Sequence, residues 1–492
     1  MSATQGSWQE LPYSSPILPV HAALLPPGTD RRSKILLFSG SGNNPSNRGC
    51  TNCSAVWDYE NGTISQVATP VDAAGLPLDL FCAGQSLLPD GRVLVAGGTL
   101  QYDPFYGLPD AFVFDRNTQQ WATVQSMNAG RWYPTQVTLR DGTVLALSGF
   151  DENGLLDTYP EIYSPSSNRW TVVSPSQNTP TSRIPMYPHV FLMRDGRLFY
   201  SGGYMGNREG ATPRILTLPI APSTQAIGEQ VVGGLEALEY GDQAASVLLP
   251  LAQEQRVMII GGADPNGNAT NRVNIVQLPT AAQSISNPTY TAAPSLNFAR
   301  MHHNAVLLPD RTVFVCNGSA KNQAADQATL AAEIYNPATN TWTVAAQASV
   351  TRLYHSVALL LPDGRVVTAG GNPARGTNEL RLEIYSPPYL FKGPQPVINS
   401  APQQVRYGAQ FQIQTPQARN IKWVNLIRPM APTHGCDTEQ RLENMVINFR
   451  TRTSLTVRLT SNPNLAPPGW YMLFITDNNG VPSVAKWMHL TS

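Results

Sequence analysis

Apolar runs recur along most of this chain, each broken by a short polar turn and followed by a second apolar run that ends on glycine. Two clear copies are FCAGQSLLPDGRVLVAGG from Phe81 and TRLYHSVALLLPDGRVVTAGG from Thr351. Similar runs begin at Val20, Trp132, Met186, Asp242 and Met301. Apolar segments separated by Pro, Asp and Gly predict β-strands joined by tight turns.

Several repeats also have a second half that predicts two outer strands. Examples are AFVFDRNTQQWATV, PEIYSPSSNRWTVV and AEIYNPATNTWTVA, in which Trp121, Trp170 and Trp342 are expected to pack between neighbouring units. Seven four-stranded units at a spacing of roughly 50–60 residues are typical of a kelch-type β-propeller. The seventh unit lacks a following Trp-bearing strand, whereas SWQELP at residues 7–12 resembles one. We therefore expect residues 7–12 to complete the last blade, which removes a free sheet edge.

The pattern changes near residue 393, where alternating strands continue without the glycine-ended unit. About 100 residues of this kind are typical of a β-sandwich. The predicted fold is therefore all-β. It comprises a seven-bladed kelch-type β-propeller over residues 1–392, followed by a C-terminal immunoglobulin-like β-sandwich over residues 393–492.

Composition narrows the possible partners. The chain has 33 basic and 33 acidic residues, and only 13% of its residues are charged, which argues against nucleic acid as a partner. No run approaches the roughly 20 apolar residues of a membrane span, so none is predicted. The N-terminal stretch shows no basic region followed by an apolar one, so no signal peptide is predicted, and the compartment stays open.

Candidate chemistry comes from the residues that begin the inner strands. The position eight residues before the turn Asp is occupied, in five units, by Cys82, Tyr133, Tyr187, His302 and His355. Tyr354 stands directly before the last of these. In a propeller, the starts of the inner strands lie at one mouth of the central channel. A single such residue is usually a hydrogen-bonded channel residue, but polar groups are costly to bury, so five in register indicate a shared site.

His434 adds a further ligand candidate, because it stands in the polar loop RPMAPTHGCDTEQR of the C-terminal part. Two imidazoles, His355 and His434, combine with the phenols of Tyr133 and Tyr354. Such a mixed nitrogen and oxygen set suits tetragonal Cu(II) better than zinc, which favours a closed tetrahedron of Cys and His.

Four motifs resemble those of the radical copper oxidases, galactose oxidase and glyoxal oxidase. They are LFCAG at Cys82, GRWYPT at Tyr133, RLYHS at Tyr354–His355 and THGCDTEQR at His434. The resemblance covers nearly the whole chain, and GRWYPT favours glyoxal oxidase. It implies one copper ion with Tyr133, His355 and His434 as equatorial ligands and Tyr354 as the axial ligand. It also implies a thioether between Cys82 and Tyr133 that carries a tyrosyl radical.

The resemblance implies a reaction as well. A copper-radical oxidase would oxidise a small-molecule aldehyde, as its hydrate, or a primary alcohol by two electrons and reduce O₂ to hydrogen peroxide. Tyr354, with an ordinary pKa of about 10, would take the substrate hydroxyl proton. Members of the family are mostly secreted, and the chain is expected to be monomeric.

The sequence differs from that of galactose oxidase at the tryptophan that stacks, in that enzyme, on the cross-linked tyrosine. The corresponding stretch, SGFDENGLLD, has Phe150 and no Trp. Trp132 is therefore a candidate shield for the Tyr133 ring. Tyr187, His302 and His303 are candidates either for hydrogen bonding to substrate or for packing behind the ligands.

Two other interpretations remain open on the sequence. A non-catalytic kelch propeller that binds a protein or glycan partner explains the repeats, and a mononuclear copper enzyme without the cross-link explains the ligands. Five cysteines is an odd number, so at least one must serve outside a disulfide. Cys50 and Cys53 are expected to form a small loop disulfide or to remain two free thiols, and Cys316 and Cys436 have no assigned role.

Overall fold

Seven four-stranded antiparallel sheets dominate the computed structural model, which describes residues 2–173, 183–206, 208–219, 226–280 and 283–491. The described chain begins with a short helix, α1 (Ser2–Gln5), and strand β1 (Ser7–Ser14). Blade 1 then contains β2 (His21–Leu25), β3 (Lys34–Phe38), β4 (Ser54–Asp58) and β5 (Thr63–Val67). Blade 2 contains β6 (Gly84–Leu87), β7 (Val93–Ala96), a small hairpin of β8 (Thr99–Gln101) and β9 (Tyr106–Gly107), then β10 (Ala111–Asp115) and β11 (Gln120–Val124).

The next three blades repeat the same up-and-down order. Blade 3 contains β12 (Thr135–Thr138), β13 (Val144–Leu147), β14 (Glu161–Ser164) and β15 (Arg169–Val172). Blade 4 contains β16 (Val190–Leu192), β17 (Leu198–Tyr200), β18 (Arg214–Thr217) and β19 (Gly228–Val231). Blade 5 contains β20 (Ala245–Leu248), β21 (Arg256–Ile260), β22 (Val273–Gln277) and β23 (Tyr290–Ala292).

The last two blades complete the ring. Blade 6 contains β24 (Asn304–Leu307), β25 (Val313–Cys316), β26 (Ala331–Asn336) and β27 (Thr341–Gln347). Blade 7 contains β28 (Ser356–Leu360), β29 (Val366–Gly370) and β30 (Arg381–Ser386), with β1 as its outer strand. Short 3₁₀ turns lie at Pro45–Asn47, Leu238–Gly241, Ala252–Glu254, Ala325–Gln327, Pro388–Phe391 and Ala418–Asn420.

Strand β1 joins the two ends of the propeller. It pairs antiparallel with β30, with Trp8 opposite Tyr385, and the two rings lie 4.9 Å apart. The Trp8 indole N–H donates to the Ala346 carbonyl of blade 6 at 2.9 Å. Because these contacts tie the first strand to two blades near the end of the ring, removal of β1 would expose both an edge and an apolar face.

The C-terminal part forms one seven-stranded sheet that curls around its own apolar core. Its strands are β31 (Gln404–Arg406), β32 (Gln410–Gln414), β33 (Ile421–Ile427), β34 (Leu442–Arg450), β35 (Ser454–Arg458), β36 (Gly469–Asp477) and β37 (Lys486–Thr491). Their spatial order is β31-β37-β36-β33-β34-β35-β32. The predicted all-β fold, a seven-bladed propeller followed by an immunoglobulin-like domain, is confirmed. None of the helices in the described ranges is long and apolar enough to cross a membrane.

The segment between β33 and β34, residues 428–441, connects this sheet to the propeller. The Pro432 carbonyl accepts from Ala22 N–H in blade 1 at 3.2 Å, and Thr438 Oγ1 donates to the Gln136 carbonyl in blade 3 at 2.6 Å. Near its ends the segment carries the buried ion pair Arg428–Glu439. The segment therefore lies against the inner strands of several blades, and it carries His434 with it.

Candidate active site

In six of the seven blades, a residue one to three positions before the inner strand has a left-handed backbone. These residues, with their φ angles, are Cys82 (64°), Tyr133 (65°), Tyr187 (41°), Gln243 (59°), His302 (54°) and His355 (65°). Backbone hydrogen bonds join neighbouring blades here, as from Tyr133 N–H to the Cys82 carbonyl at 2.9 Å. A positive φ is uncommon outside glycine and costs of order 1–3 kcal/mol, so its repetition marks a conformation that the fold imposes at this mouth.

The structure brings the five motif residues together at this mouth. Cys82 Sγ and one ring nitrogen each of His355 and His434 lie within 4.8 Å of one another. The Tyr133 and Tyr354 hydroxyls are hydrogen-bonded to each other. The Tyr354 and His355 rings stack with their centroids 3.7 Å apart. Side chains from blades 2, 3 and 7 and from the C-terminal part therefore converge on one point.

The segment 428–441 orients the His434 ring through its neighbour. Thr433 Oγ1 lies 2.6 Å from His434 Nδ1 and donates its own proton to the Val20 carbonyl at 3.2 Å. Because that hydroxyl proton is already used, the oxygen accepts from Nδ1–H. The proton on Nδ1 leaves the lone pair on Nε2, which lies 3.6 Å from Cys82 Sγ. Such an outer hydrogen bond commonly fixes the tautomer and orientation of a metal-binding histidine.

Burial sets the protonation state of the cluster. It lowers the pKa of His355 to about 3, against the hydrogen bonding of Asn372, and it lowers the pKa of His434 well below its usual value. Burial also raises the pKa of the phenols of Tyr133 and Tyr354 well above their usual value. At neutral pH both imidazoles are therefore uncharged, which is the form that binds metals.

The donor set fits copper. Neither ring nitrogen of His355 has a hydrogen-bond partner among the described residues, and the Cys82 sulfur lies beside the uncharged His434 ring, 3.6 Å from its Nε2. Two neutral imidazole nitrogens and two phenol oxygens form a mixed set that suits Cu(II). A divalent cation at this point would favour the anionic form of each phenol that binds it.

An aromatic stack covers Tyr133. The Trp132 indole lies on the Tyr133 ring with centroids 3.9 Å apart and an angle of 9°, and Phe105 stacks on Trp132 at 4.2 Å. Phe150 lies 5.9 Å from Trp132, nearly parallel to it. Trp132 therefore supplies the stacked indole, although it precedes the tyrosine directly in the sequence instead of following in the next loop.

The three remaining candidates occupy different surroundings. Tyr187 is buried, its ring stacks on Tyr133 at 4.5 Å, and its hydroxyl donates to the Ala83 carbonyl at 2.7 Å. His302 lies 4.4 Å from the Tyr354 ring, and its nitrogens have no hydrogen-bond partner among the described residues. His303 is fully buried beside the backbone of Gly318. Of these three residues, His302 has ring nitrogens available for a bound molecule next to Tyr354.

Several site residues were missed from the sequence. Gln243 occupies the inner-strand position in blade 5, Thr433 orients His434, and Phe81 lies 5.3 Å from the His355 ring. Tyr102 and Phe105 reach the site from the β8–β9 hairpin. Their one sequence signal is an unusually aromatic connection, LQYDPFYG, between two strands of blade 2.

The cysteines divide into two groups. Cys50 and Cys53 form a disulfide, which confirms the loop-disulfide alternative over two free thiols. Cys82, Cys316 and Cys436 are free and buried. Burial raises the pKa of the Cys82 thiol well above its usual value. Only Cys82 among these three lies in the group of possible metal ligands.

Comparison with known families supports the assignment of both parts of the chain. The model of the family described as "Glyoxal oxidase N-terminus" matches residues 39–389, and that of "Galactose oxidase-like, Early set domain" matches residues 395–490. A galactose oxidase of Gibberella zeae is 26% identical over 508 residues, covering 97% of this chain and 69% of that protein. An aldehyde oxidase of Arabidopsis thaliana is 27% identical over 496 residues, covering 90% of this chain and 75% of that protein.

A solved structure supports the fold. A fungal alcohol oxidase in complex with copper superposes with a TM-score of 0.81 at 24% identity, covering 99% of this chain and all of that one. At this identity, the likeness is evidence for the architecture alone.

Proposed function

This chain belongs to the glyoxal oxidase family, and on that premise we propose that its site oxidises an aldehyde hydrate or a primary alcohol with O₂. The chain is a copper-dependent oxidase. An aldehyde hydrate and O₂ would give a carboxylic acid and hydrogen peroxide, whereas an alcohol and O₂ would give an aldehyde and hydrogen peroxide. The observation that carries the proposal is the convergence of two phenols, two neutral imidazoles and one thiol from four separate parts of the chain.

The residues that would hold the copper ion are Tyr133, Tyr354, His355 and His434. When bound, copper would take up one of the two substrate electrons and pass electrons on to O₂, while the Tyr133 ring would supply the second oxidising equivalent. His434 can bind a metal through Nε2 without losing a proton, because the hydrogen bond to Thr433 keeps its proton on Nδ1.

We propose a thioether bond between Cys82 Sγ and the Tyr133 ring. Its formation would remove one hydrogen atom from the thiol and one from the ring, and O₂ would take up both to give hydrogen peroxide. Cys82 is a free, fully buried cysteine that packs in the same buried cluster as Tyr133. A sulfur substituent makes the phenol easier to oxidise, so the bond would help Tyr133 to hold a radical.

Tyr354 is the proposed base, and Tyr133 the proposed hydrogen-atom acceptor. Tyr354 is half-buried and therefore reachable from the mouth, whereas Tyr133 is 5% exposed. Their hydroxyls already share a hydrogen bond, so a substrate oxygen near that bond would face both groups. His302, beside the Tyr354 ring, is the proposed hydrogen-bonding group for the substrate.

Trp132 is the proposed shield of the oxidised ring. Its indole lies parallel to Tyr133 at 3.9 Å and is itself covered by Phe105. A stacked aromatic ring spreads charge and excludes water from one face, so it should lengthen the lifetime of a Tyr133 radical.

The test is Tyr133→Phe, which removes one hydroxyl and keeps the stack. Peroxide production and radical absorption should be lost, while the variant keeps its fold by circular dichroism. The matched control is Tyr163→Phe in the same blade, whose hydroxyl donates to Asn168 Oδ1 away from the proposed ligands, and activity should remain near wild type. Residual peroxide production near wild type in Tyr133→Phe would refute the radical assignment.

A propeller that only binds a protein or glycan accounts for the blades but not for the convergence of these five side chains.

The proposed domain bounds are residues 1–392 for the propeller and residues 393–492 for the C-terminal domain. The chain is expected to be a monomer, and sedimentation at several concentrations checks this.

A further inference from the structure

The β8–β9 hairpin, residues 99–107, forms one wall of the entrance to the site. Phe105 stacks on Trp132 at 4.2 Å, and Tyr102 lies parallel to Phe81 with centroids 6.2 Å apart. Phe81 in turn contacts the His355 ring at 5.3 Å. Tyr102 and Phe105 are both only half-buried. The hairpin therefore presents aromatic groups both to solvent and to the residues around the copper ligands.

The base of the hairpin is fixed by close backbone contact. Gly107 N–H donates to the Asp151 carbonyl at 2.9 Å, and Thr99 N–H donates to the Asp79 carbonyl at 2.9 Å. A Cβ on Gly107 would come within 2.2 Å of the Phe150 carbonyl oxygen, so only glycine fits there. The base of the wall is therefore tightly packed against the loop that carries Phe150 and Asp151.

The tip is held by groups from two other blades. Arg375, between β29 and β30, forms a bidentate pair with Asp103 at 2.6 and 2.9 Å, and its guanidinium lies 5.5 Å from the Tyr102 ring. The Ser41 hydroxyl of blade 1 is hydrogen-bonded to the Tyr102 hydroxyl. The side chains of Arg375 and Asp103 are 44% and 59% exposed, and exposed ion pairs contribute little, so the tip is the weakly held part of the wall.

Polar groups lie around Tyr354, whose hydroxyl is hydrogen-bonded to that of Tyr133. His302 lies on the Tyr354 ring. The entrance is therefore aromatic along the hairpin and polar around Tyr354, where the hydroxyl of a substrate must arrive.

We propose that the 99–107 hairpin is a specificity element that selects substrates with a planar aryl or conjugated group on the reacting carbon. The reacting hydroxyl faces the polar side and the planar group lies along the rings of the hairpin, where aromatic contacts add to burial. A polyhydroxylated substrate would have to lay hydroxyl groups against those rings and lose their hydration. This inference rests on the proposed oxidase function and adds the substrate class to it.

The first experiment compares kcat/KM for benzaldehyde and methylglyoxal in the copper-loaded wild type and in Phe105→Leu. Leucine keeps an apolar side chain but removes the ring. The ratio of kcat/KM for benzaldehyde to that for methylglyoxal should fall roughly 2- to 10-fold, the worth of one aromatic contact. Arg375→Gln frees the tip and should lower the same ratio by up to about fivefold.

The matched control for Arg375→Gln is Arg92→Gln, since Arg92 pairs with Asp90 in an exposed turn of blade 2 outside the entrance. Its ratio should equal that of the wild type. A second readout avoids turnover altogether: quenching of tryptophan fluorescence of the copper-free protein by benzamide. Binding should weaken 2- to 10-fold in Phe105→Leu, roughly as for turnover.

The outcomes distinguish a failure of the specificity role from a failure of the proposed oxidase function. An active oxidase whose ratio and benzamide affinity are unchanged in Phe105→Leu would overturn the specificity role and leave the proposed function standing. A copper-loaded protein that oxidises neither substrate yet binds benzamide through Phe105 would overturn the oxidase function instead. Preference of the wild type for glycerol or galactose over benzyl alcohol would also overturn the specificity role.

Discussion

Replacing Glu439 by Gln should strongly destabilise the segment that carries His434. Glu439 and Arg428 form an ion pair whose side chains are 1% and 2% exposed. The carboxylate also accepts from Thr138 Oγ1 at 2.7 Å and from Leu87 N–H at 3.2 Å, both on inner strands of the propeller. The pair therefore joins the C-terminal sheet to blades 2 and 3.

The expected magnitude follows from what the substitution leaves behind. Glutamine keeps the size of the side chain and one carbonyl oxygen, but it leaves the Arg428 guanidinium buried without a negative partner. Breaking a buried pair on one side costs about 3–5 kcal/mol. Burial alone would raise the pKa of Glu439, but Arg428 and the hydroxyl donors lower it overall, so the carboxylate is charged at neutral pH.

The assay is denaturant unfolding of copper-free protein, followed by the copper affinity of each folded variant. Glu439→Gln should lower the free energy of unfolding by about 3 kcal/mol or more and weaken copper binding, because the position of His434 depends on this segment. The control Asp90→Asn breaks the exposed pair with Arg92 and should cost less than about 1 kcal/mol. In a double-mutant cycle with Arg428→Met, a coupling energy below about 0.5 kcal/mol would refute the reasoning.

Three further predictions concern the closure of the propeller by β1, the buried carboxyl of Glu443 and the stacking of Trp132 on Tyr133. Deletion of residues 1–12 should sharply lower the melting temperature, because it removes β1 from blade 7; an unchanged melting curve would contradict the closure of the ring by this strand. Burial raises the pKa of Glu443 from its ordinary value of 4.5 to about 8. Its contribution to stability is therefore fully present below pH 4.5 and is lost as the pH rises through about 8. Unfolding free energies of Glu443→Gln should depend less on pH across this window, and identical profiles would show that Glu443 does not carry the effect. Trp132→Leu should shorten the lifetime of the radical absorption, whereas Trp132→Phe should retain more of it; equal decay in all three proteins would exclude a shielding role.

Much of the ring could be predicted because its inner strands have a constant length. Eight residues separate the turn Asp from the first inner position in five blades, so the register alone brought Cys82, Tyr133 and His355 to one mouth. Blade 5 departs from this rule, since a 3₁₀ turn at Ala252–Glu254 replaces the Pro-Asp-Gly turn. That difference hid Gln243, whose backbone matches the other five positions.

The parts that could not be predicted depend on contacts between distant segments. Thr433 has no distinctive signal in the polar loop. Its role in orienting His434 is visible only in the structure, where its hydroxyl donates a hydrogen bond to the Val20 carbonyl. Phe105 reaches Trp132 only because the β8–β9 hairpin folds back over the mouth. The parallel pairing of β31 with β37 likewise joins the two ends of the C-terminal part, and no local pattern specifies it.

The resemblance to the family and the geometry complement each other at Trp132. The motif comparison found no tryptophan in residues 148–157, and the sequence offered Trp132 as a candidate shield of the Tyr133 ring. The structure places the indole of the residue before Tyr133 on that ring instead.

The most direct measurement is the intact mass of copper-loaded, aerated protein beside a metal-free preparation. A loss of about 2 Da, mapped by proteolysis to a peptide that joins Cys82 to Tyr133, is the predicted result, since a thioether forms with loss of two hydrogen atoms. Cys82→Ala should show no such change. An unchanged mass in protein that has bound copper would contradict the radical cofactor and favour a simple copper site in a propeller.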